Sequence, residues 1–565
     1  MNRRVQPVIR RPLDLTAITR RDFLKLGGTG LAGAALLGTA GCGSIFGGGQ
    51  TGEGGGAGST TLNINLTAEV PDLNSTTSSD SVSSIVLTNV MEGLYRLDEN
   101  QEPQPAAAEG VEVSSDGLTY TFTLRDGIQW SNGDPVVAED YRYAWLKVLD
   151  PASAATYAYI ISTFVKGADE YNTKKGGREG VAIDAPDDKT LSVELISKSP
   201  FFLQLTSFYT YFPQQQEFVE KLGDDYAQDG ESLLYNGPFT MTQGTAGGGG
   251  TVVLEKNDMY WDKANVAVKT INGQIVKDNN TAVNLYEAGE LDVTGLTGPR
   301  VKQYQDSPDF YRRVEPFTVY GRLNQKAPGL DNINIRKALM IGFDREGLTD
   351  QILQDGSVPA YGFVPPAISP GPGNQTFREA NGDLVPKDVG SARALWEKGV
   401  EELGEEPKLT MLFGDDTTQR DIATYMQDQY KENLGANFDV EVVTFDASLD
   451  RVDQEDYEIS YAFGWIGDYD DPMTFLDLYL SDSEFNNSFF ENEEYDRLIR
   501  GAQTESDTEK RMQMMLEAER ILIEEAGTVP VFYNTVSGVK KPYFKGYAPH
   551  AFGGDDYKYA SIEGK

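Results

Sequence analysis

Cysteine and histidine are nearly absent from this sequence of 565 residues, which holds one of each, Cys42 and His550. A single cysteine excludes a disulfide within the chain. So few candidate ligands also argue against a Cys/His zinc site, a haem site and a Ser-His-Asp triad. We therefore expect no cofactor and no metal, and we expect His550 to be an ordinary surface or packing residue.

Basic residues are scarce as well. Lys and Arg number 49 against 87 Asp and Glu, for a formal net charge of −38. A field of this sign repels nucleic acid and anionic lipid headgroups, so neither is expected as a direct ligand. It keeps the protein soluble and favours cationic ligands. The length predicts two or three lobes rather than a single core.

The amino-terminal segment has the features of an export signal. Residues 19–25, Thr-Arg-Arg-Asp-Phe-Leu-Lys, resemble a twin-arginine signal in which Arg20 and Arg21 are the paired arginines. The Gly/Ala-rich stretch Leu26–Ala40 is too short for a membrane helix but suits the apolar part of a signal peptide. Residues 1–41 are therefore predicted to be a twin-arginine and lipoprotein signal.

Cys42 ends the sequence Leu-Leu-Gly-Thr-Ala-Gly-Cys, which looks like a lipoprotein processing site. We expect Cys42 to carry the lipid. The alternative is an ordinary signal peptide with an incidental cysteine. Residues 43–59 contain nine glycines, a composition typical of flexible tethers. Residues 42–60 are thus predicted to anchor the protein outside the cytoplasm, at the outer face of the cell membrane or in a periplasm.

Helical and strand patterns interleave along the rest of the chain, which predicts mixed α/β lobes. Alternating apolar residues predict strands over Thr61–Leu66 and Leu118–Leu124. Helical periodicity predicts helices over Ala138–Leu149 and Thr508–Ala526, and Val529–Tyr533 is expected to be a buried strand.

Two local patterns add detail. Ser506 and Glu509 have the spacing of a capping box at the start of the last helix. Gly247–Gly250 lacks the Gly-Lys-Ser/Thr ending and the following helix of a phosphate-binding loop. We interpret this glycine run as a hairpin loop.

A series of short motifs resembles the family 5 extracellular solute-binding proteins. They follow one another from about residue 61 to about residue 550 and include Glu92–Tyr95, Ser115–Phe122, Trp130–Val136, Asn236–Phe239, Leu285–Asp292 and Ile335–Leu339. The stretch Gly464–Pro472, Gly-Trp-Ile-Gly-Asp-Tyr-Asp-Asp-Pro, is similar to the oligopeptide-binding branch of that family. Each motif is modest alone, and their order makes the resemblance specific.

The resemblance implies a periplasmic-binding-protein type II fold of the α/β class, with two jaws, a hinge and an extra inserted domain. It implies a discontinuous domain I formed by residues 61–106, 181–275 and 530–565. Residues 107–180 would form domain II and residues 276–529 domain III. The ligand would lie between domains I and III, which close by a hinge motion.

The resemblance also implies a peptide site. A general peptide binder must recognise the backbone and the charged ends, and a buried ammonium needs a carboxylate partner. Asp468 matches the residue that binds the peptide amino terminus; the alternative is that Asp468 caps a turn in an acidic loop. Gly464, Trp465 and Ile466 match the segment whose backbone pairs with the peptide.

Further contacts follow from the same resemblance. Ser81, expected in the loop before the first helix, matches a backbone contact on the opposite jaw, and Tyr157 and Asn486 match polar contacts. Phe445 falls near an aromatic wall position, although the alignment there shifts by one residue. Core packing is the alternative for Tyr157 and Phe445, and no basic residue matches a binder of the peptide carboxylate.

The resemblance thus implies a monomeric binding protein, not an enzyme, that passes short peptides to an ABC permease in the cytoplasmic membrane, with the lipid anchor as its only membrane contact. One alternative is the same fold binding a dipeptide, a metal chelate or an oligosaccharide. A remote alternative is an exported hydrolase with paired carboxylates, although none of the acidic pairs lies in a recognisable catalytic context.

Overall fold

The computed structural model describes residues 60–483, 485–547 and 549–564, apart from the side chains of residues 445 and 446. The predicted signal, with Arg20 and Arg21, and the predicted lipid site Cys42 lie outside these residues. The export and anchoring assignments therefore stay predictions.

The helices of the described chain are numbered in chain order. They are α1 Ser81–Val90, α2 Ala138–Leu149, α3 Ala158–Ser162, α4 Ala168–Asn172, α5 Phe202–Leu205, α6 Gln216–Leu222, α7 Asn279–Ala288, α8 Pro299–Tyr304, α9 Ile333–Ile341, α10 Arg345–Gly347, α11 Phe377–Asn381, α12 Ala392–Leu403, α13 Thr417–Asn433, α14 Phe445–Asp453, α15 Met473–Leu476, α16 Glu493–Thr504 and α17 Thr508–Glu524.

The strands are numbered in the same way. They are β1 Thr61–Leu66, β2 Tyr95–Leu97, β3 Pro103–Pro105, β4 Ala108–Val113, β5 Thr119–Leu124, β6 Ile183–Asp184, β7 Thr190–Glu194, β8 Phe239–Gln243, β9 Thr251–Lys256, β10 Thr270–Ile275, β11 Val293–Leu296, β12 Phe310–Leu323, β13 Val358–Pro359, β14 Thr410–Gly414, β15 Asp439–Val443, β16 Ile459–Ser460, β17 Gly464–Ile466, β18 Val529–Lys540, β19 Phe544–Lys545 and β20 Ser561–Ile562.

Twelve of these strands form one large sheet, in the order β15-β14-β16-β12-β18-β11-β1-β10-β9-β8, with β13 added to β18 and β17 added to β12. Parallel pairs occur in both halves of the sheet, β14 with β15 in one half and β1 with β10 in the other. The long strands β12 and β18 join the two ends through an antiparallel ladder that is interrupted at two register shifts. The β12–β18 ladder is thus the sheet's link between its two halves.

A smaller sheet has the strand order β4-β5-β7-β6. Helix α2 packs on β7, and its Trp145 donates from the indole N–H to the carbonyl of Tyr211 at 2.8 Å. The N–H of Ile196 donates to the carbonyl of Phe164 at 2.9 Å, which ties the chain after β7 to the chain after α3. We call residues 108–211 the small-sheet body.

The predicted domain boundaries stay a prediction, and the small sheet bears on one of them. The strands β6 and β7 pair with each other and, through β7, with β5. A domain drawn around this sheet would therefore run past residue 180 to at least Glu194.

Several predicted elements are confirmed. β1 has the predicted bounds Thr61–Leu66, with every second residue buried, and α2 has the predicted bounds Ala138–Leu149. The glycine run Gly247–Gly250 lies between the antiparallel strands β8 and β9, as expected of a hairpin loop. The strand predicted over Val529–Tyr533 is longer, because β18 continues to Lys540 along β12 and β11.

The predicted capping box at the last helix is wrong by one residue. Asp507, not Ser506, is the N-cap of α17, and its carboxylate accepts the backbone N–H of Lys510 at 3.2 Å. Asp507 directly precedes the first helical residue, so its side chain reaches the third N–H of the helix, which has no partner inside the helix.

His550 is a packing residue. It is 5% exposed and lines a small cavity together with Arg96 and Asp556. Burial lowers the pKa of His550 to about 4, so the imidazole is neutral at physiological pH. None of the predicted peptide-binding residues lines this cavity.

Glu519 on α17 is a fully buried carboxylate that organises the loop before α11. Its Oε1 accepts the backbone N–H groups of Phe363 and Val364 at 2.8 and 2.9 Å. Its Oε2 accepts from Asn381 at 2.6 Å and pairs with Arg378. The conformation of this loop therefore depends on the Glu519 carboxylate, both of whose oxygens have partners.

Glu519→Ala should lower the free energy of unfolding by about 3–5 kcal/mol, because it leaves the buried Arg378 without its counter-ion. Urea unfolding followed by circular dichroism measures the change. Glu517→Ala is the matched control, since Glu517 on the same helix forms an exposed pair with Arg520 and should change stability by less than about 0.5 kcal/mol. Equal effects of the two substitutions would contradict this account.

Candidate functional site

The predicted peptide-pairing segment is an edge strand. Residues Gly464–Ile466 form β17, which pairs antiparallel with β12 so that Ile466 lies opposite Phe317 and Gly464 opposite Val319. In the described part of the chain, no strand pairs with the other edge of β17. A backbone edge of this kind can accept one more strand.

The register shows which residues face the unpaired edge. The N–H of Gly467 donates to the carbonyl of Pro316 at 2.7 Å. The N–H and C=O groups of successive residues in an antiparallel strand point to alternate sides. The backbone groups of Trp465, two residues before Gly467, therefore also point toward β12. Gly464 and Ile466 therefore direct their backbone groups toward the unpaired edge.

Gly464 is required by close packing against β12. A Cβ atom at this position would come within 2.3 Å of the Phe317 ring and 2.4 Å of the Thr318 carbonyl oxygen. No side chain fits there unless β17 moves away from β12, so the glycine keeps the edge strand in register.

Trp465 is half-buried and packs edge-on against Phe485, with ring centroids 5.4 Å apart. Its indole nitrogen is buried and has no hydrogen-bond partner among the described residues. A buried donor of this kind is a position at which an acceptor group of a ligand would be stabilised.

Asp468 follows the edge strand and is partly buried. Its backbone N–H donates to Oγ1 of Thr474 at 3.0 Å, which attaches it to the start of α15. The hydroxyl of Tyr159 donates to Oδ1 of Asp468 at 2.9 Å. Since Tyr159 belongs to the small-sheet body, the carboxylate lies where that body meets the large sheet.

Two carboxylates near Asp468 have other roles. Asp471 is 2% exposed, pairs with both terminal nitrogens of Arg511 at 2.7 and 2.8 Å, and accepts the N–H of Met473. Asp471 therefore helps to fix the start of α15. Burial, together with the negative charges of Asp468 and Asp471, raises the pKa of Asp477 to about 8, so Asp477 is mostly protonated at neutral pH.

An aromatic cluster from the small-sheet body lies next to this site. Tyr157 is 5% exposed and packs against Tyr159, Phe208 and Tyr209 with ring centroids 5.9, 5.4 and 6.0 Å apart. The hydroxyl of Tyr209 donates to the carbonyl of Ser78 at 3.3 Å, just before α1. Tyr157 thus contributes to packing, and it stands two residues before Tyr159, whose side chain reaches Asp468.

Two further predicted residues, Ser81 and Phe445, each stand at the start of a helix. Ser81 is exposed and is the first residue of α1 rather than a residue of the preceding loop, with Asp80 as the N-cap. Phe445 is the first residue of α14, and its side chain lies outside the described atoms. The predicted roles of Ser81 and Phe445 in peptide binding therefore stay predictions.

Asn486 is engaged in shaping its own loop. Its amide nitrogen donates to the carbonyls of Leu480 and Phe490 at 3.2 and 2.7 Å. Its amide oxygen accepts the N–H of Phe490 at 3.1 Å. Because both donor hydrogens have partners, this geometry favours a loop-forming role over a peptide contact.

Sequence reasoning missed three residues that meet this loop. Tyr159 bonds to Asp468, Phe201 stacks on Tyr469 with ring centroids 3.8 Å apart, and the N–H of Asp470 donates to Oε1 of Gln204 at 2.8 Å. Tyr159 stands two residues after Tyr157, and this proximity was the only available signal. Nothing in the local sequence indicates the contacts of Phe201 or Gln204.

The described residues contain no group of three His, Cys, Asp or Glu side chains placed to hold a metal ion. Among the same residues, no helix is long and apolar enough to cross a membrane.

Comparison with known proteins gives the family. The model described as "Bacterial extracellular solute-binding proteins, family 5 Middle" matches residues 102–487. The chain belongs to this family. The resemblance inferred from the short motifs is therefore confirmed, and the fold is the type II periplasmic-binding-protein fold of the α/β class.

Relatives in this family cover most of the chain. It is 38% identical to the oligopeptide-binding protein OppA of Bacillus subtilis (strain 168), over 89% of this chain and 93% of that protein. It is 33% identical to the dipeptide-binding protein DppE of the same organism, over 85% and 88%. Listeria monocytogenes OppA bound to peptide superposes with a TM-score of 0.70 and 34% identity, covering 90% of this chain and 99% of that one.

Gly464→Ala should lower the free energy of unfolding by about 1–3 kcal/mol, because the new methyl group forces β17 away from Thr318 and Phe317. Chemical denaturation measures this loss. The control is Gly249→Ala, a position where a Cβ meets open space and the change should stay below about 0.5 kcal/mol. A neutral Gly464→Ala would show that the edge strand tolerates displacement.

Asp477→Asn should raise the free energy of unfolding by roughly 2–4 kcal/mol at pH 7. The pKa of Asp477 is raised from 3.8 to about 8 in the folded protein, so folding at neutral pH must take up a proton that the unfolded chain lacks. This cost grows as pH rises from about 4 to about 8, and the amide removes it.

Urea unfolding of the wild type and of Asp477→Asn at several pH values tests this prediction, and the gain should vanish near pH 4. Asp482→Asn, which alters an exposed pair with Arg500, should leave stability nearly unchanged at every pH. A gain in Asp477→Asn that is independent of pH would mean that packing, not protonation, explains it.

Proposed function

We propose that this chain is the extracytoplasmic substrate-binding lipoprotein of an ABC importer, and that it captures short peptides between its lobes. The observation that carries the proposal is the unpaired edge of β17 with Asp468 two residues beyond its end. A backbone edge and a carboxylate are what an unspecified peptide requires, since its constant features are its main chain and its charged ends.

The proposed binding mode follows from the register. The peptide adds to β17 and exchanges hydrogen bonds with the backbone groups of Gly464 and Ile466. Its ammonium pairs with Asp468, because a charge removed from water needs a counter-ion. Since Asp468 follows Ile466 in the chain, the bound peptide runs from Asp468 toward Gly464, antiparallel to β17.

The relatives support a peptide as the ligand. The names of two relatives are oligopeptide-binding protein and dipeptide-binding protein, and the Listeria monocytogenes relative was solved bound to peptide. The family is one of solute-binding proteins, which agrees with the expectation of no enzymatic activity. A dipeptide specificity is the second candidate, because the DppE relative is 33% identical.

The transport role extends the proposal beyond the binding site. We propose that the lipid on Cys42 holds the monomeric protein at the outer face of the cell membrane and that residues 42–60 tether it within reach of an ABC permease. The strong negative charge of the chain, −38, repels anionic headgroups and keeps the folded body away from the membrane surface.

Calorimetric titration with alanine peptides of two to eight residues tests the function. Free-amine peptides should bind at micromolar or tighter affinity, and acetylation of the amino end should weaken binding by about tenfold or more through loss of a charge-assisted bond. Asp468→Ala should give a similar loss. Asp306→Ala, at an exposed position, serves as the control and should bind normally.

The length series separates the two candidates, since a dipeptide binder loses affinity once the peptide exceeds two residues. Failure of every free peptide to bind to a folded protein would overturn the peptide proposal. Screens with oligosaccharides and metal chelates would then identify the solute.

A further inference from the structure

The bond between Tyr159 and Asp468 connects two parts of the protein that are 309 residues apart in sequence. Tyr159 is carried by α3 in the small-sheet body, and Asp468 follows β17 of the large sheet. The donor is a neutral phenol and the acceptor a carboxylate oxygen at 2.9 Å. Such a bond fixes the direction of the carboxylate without neutralising its charge.

Tyr159 is held firmly on its own side. The hydroxyl of the fully buried Tyr211 donates to the carbonyl of Ile160 at 2.7 Å, which fixes the helix that carries Tyr159. The ring of Tyr159 also packs on the ring of Tyr157, 5.9 Å away. The phenol therefore approaches Asp468 from a fixed position rather than from a mobile surface.

The loop that carries Asp468 meets the small-sheet body at two further points. The ring of Tyr469 lies parallel to that of Phe201, with 3.8 Å between centroids and 11° between planes. The N–H of Asp470 donates to Gln204 at 2.8 Å. Three consecutive residues thus contact the same body, so the geometry of the Tyr159 bond is enforced by its neighbours.

We propose that Tyr159 is a positioning residue for amine recognition: it holds the Asp468 carboxylate across the junction of the two bodies, so that a primary ammonium is bound only when they are together. The inference rests on the proposed peptide-binding function and adds a residue to it. A carboxylate offers about four lone-pair sites, so it can accept from a phenol and from an ammonium at the same time.

In this arrangement, binding of the ligand's amino terminus depends on contact between the small-sheet body and the large sheet. If the lobes separate, Asp468 loses the phenol and its fixed direction, and the pairing with the ammonium weakens. An acetylated peptide lacks the ammonium and gains nothing from an oriented carboxylate. Tyr159 should therefore affect discrimination between free and acetylated ends, which a residue needed only for folding would not do.

The test is calorimetric titration of the purified wild-type chain, Tyr159→Phe, Asp468→Asn and the double variant. The probes are tri-alanine, tetra-alanine and penta-alanine, each with a free and an acetylated amino end. Tyr159→Phe should weaken binding of the free peptides about tenfold and leave acetylated peptides unchanged. In the Asp468→Asn background, Tyr159→Phe should have no further effect, because the two residues act through one bond.

Tyr304→Phe is the matched control. It removes another phenol–carboxylate bond, between Tyr304 on α8 and Glu287 on α7, and should leave the affinity unchanged. Thermal unfolding of each variant confirms that the fold is intact.

Three other outcomes would contradict either this inference or the proposed function. Normal binding by Tyr159→Phe, while Asp468→Asn is impaired, would overturn this inference and leave the proposed function standing. Equal weakening of free and acetylated peptides would also overturn it, since Tyr159 would then act through folding or closure alone. No binding of any peptide by the wild type would instead be a failure of the proposed function.

Discussion

The antiparallel ladder between β12 and β18 is the contact on which the rest of the structure depends. β12 pairs with β18 along one edge, and its other edge carries β16 and β17. The ladder therefore joins the two halves of the large sheet and also positions the strand that carries the candidate site. Its register shifts, between Val314 and Thr318 and between Val319 and Tyr320, coincide with the segment opposite β17. Irregular pairing bends a strand locally, so the ladder changes direction where β17 joins β12.

Buried carboxylates are used in three different ways in this acidic protein. Glu519 and Asp471 are surrounded by hydrogen-bond donors, an arginine among them in each case, so they stabilise loops and helix ends. Asp477 has a raised pKa because burial and neighbouring negative charges disfavour its ionised form. Asp468 is partly buried and oriented by a phenol. The last arrangement combines a fixed direction with partial exposure, which suits the binding of a cation.

Local sequence predicted the elements whose patterns are regular. β1 and α2 have the predicted bounds because alternation and helical periodicity each bury one face there. The family was found from the order of its motifs, and the edge strand from one of them. The contacts of Phe201, Gln204 and Tyr159 could not be predicted, because they arise where segments more than 250 residues apart meet.

The N-cap of α17 was misplaced because Ser506 and Asp507 are both good capping residues, and only the position of the first helical turn decides between them.

The unpaired edge of β17 also has a consequence for pairing between copies of the chain. An exposed strand edge is a template for pairing with another copy of the same chain, and long flat edges promote aggregation. Here the edge is three residues long, and the loop after it is covered by the small-sheet body through Tyr159 and Phe201. A second copy of the chain would therefore find only a short stretch of backbone to pair with. The shortness of β17 limits the template for self-association, although its outer edge stays unpaired in the described chain.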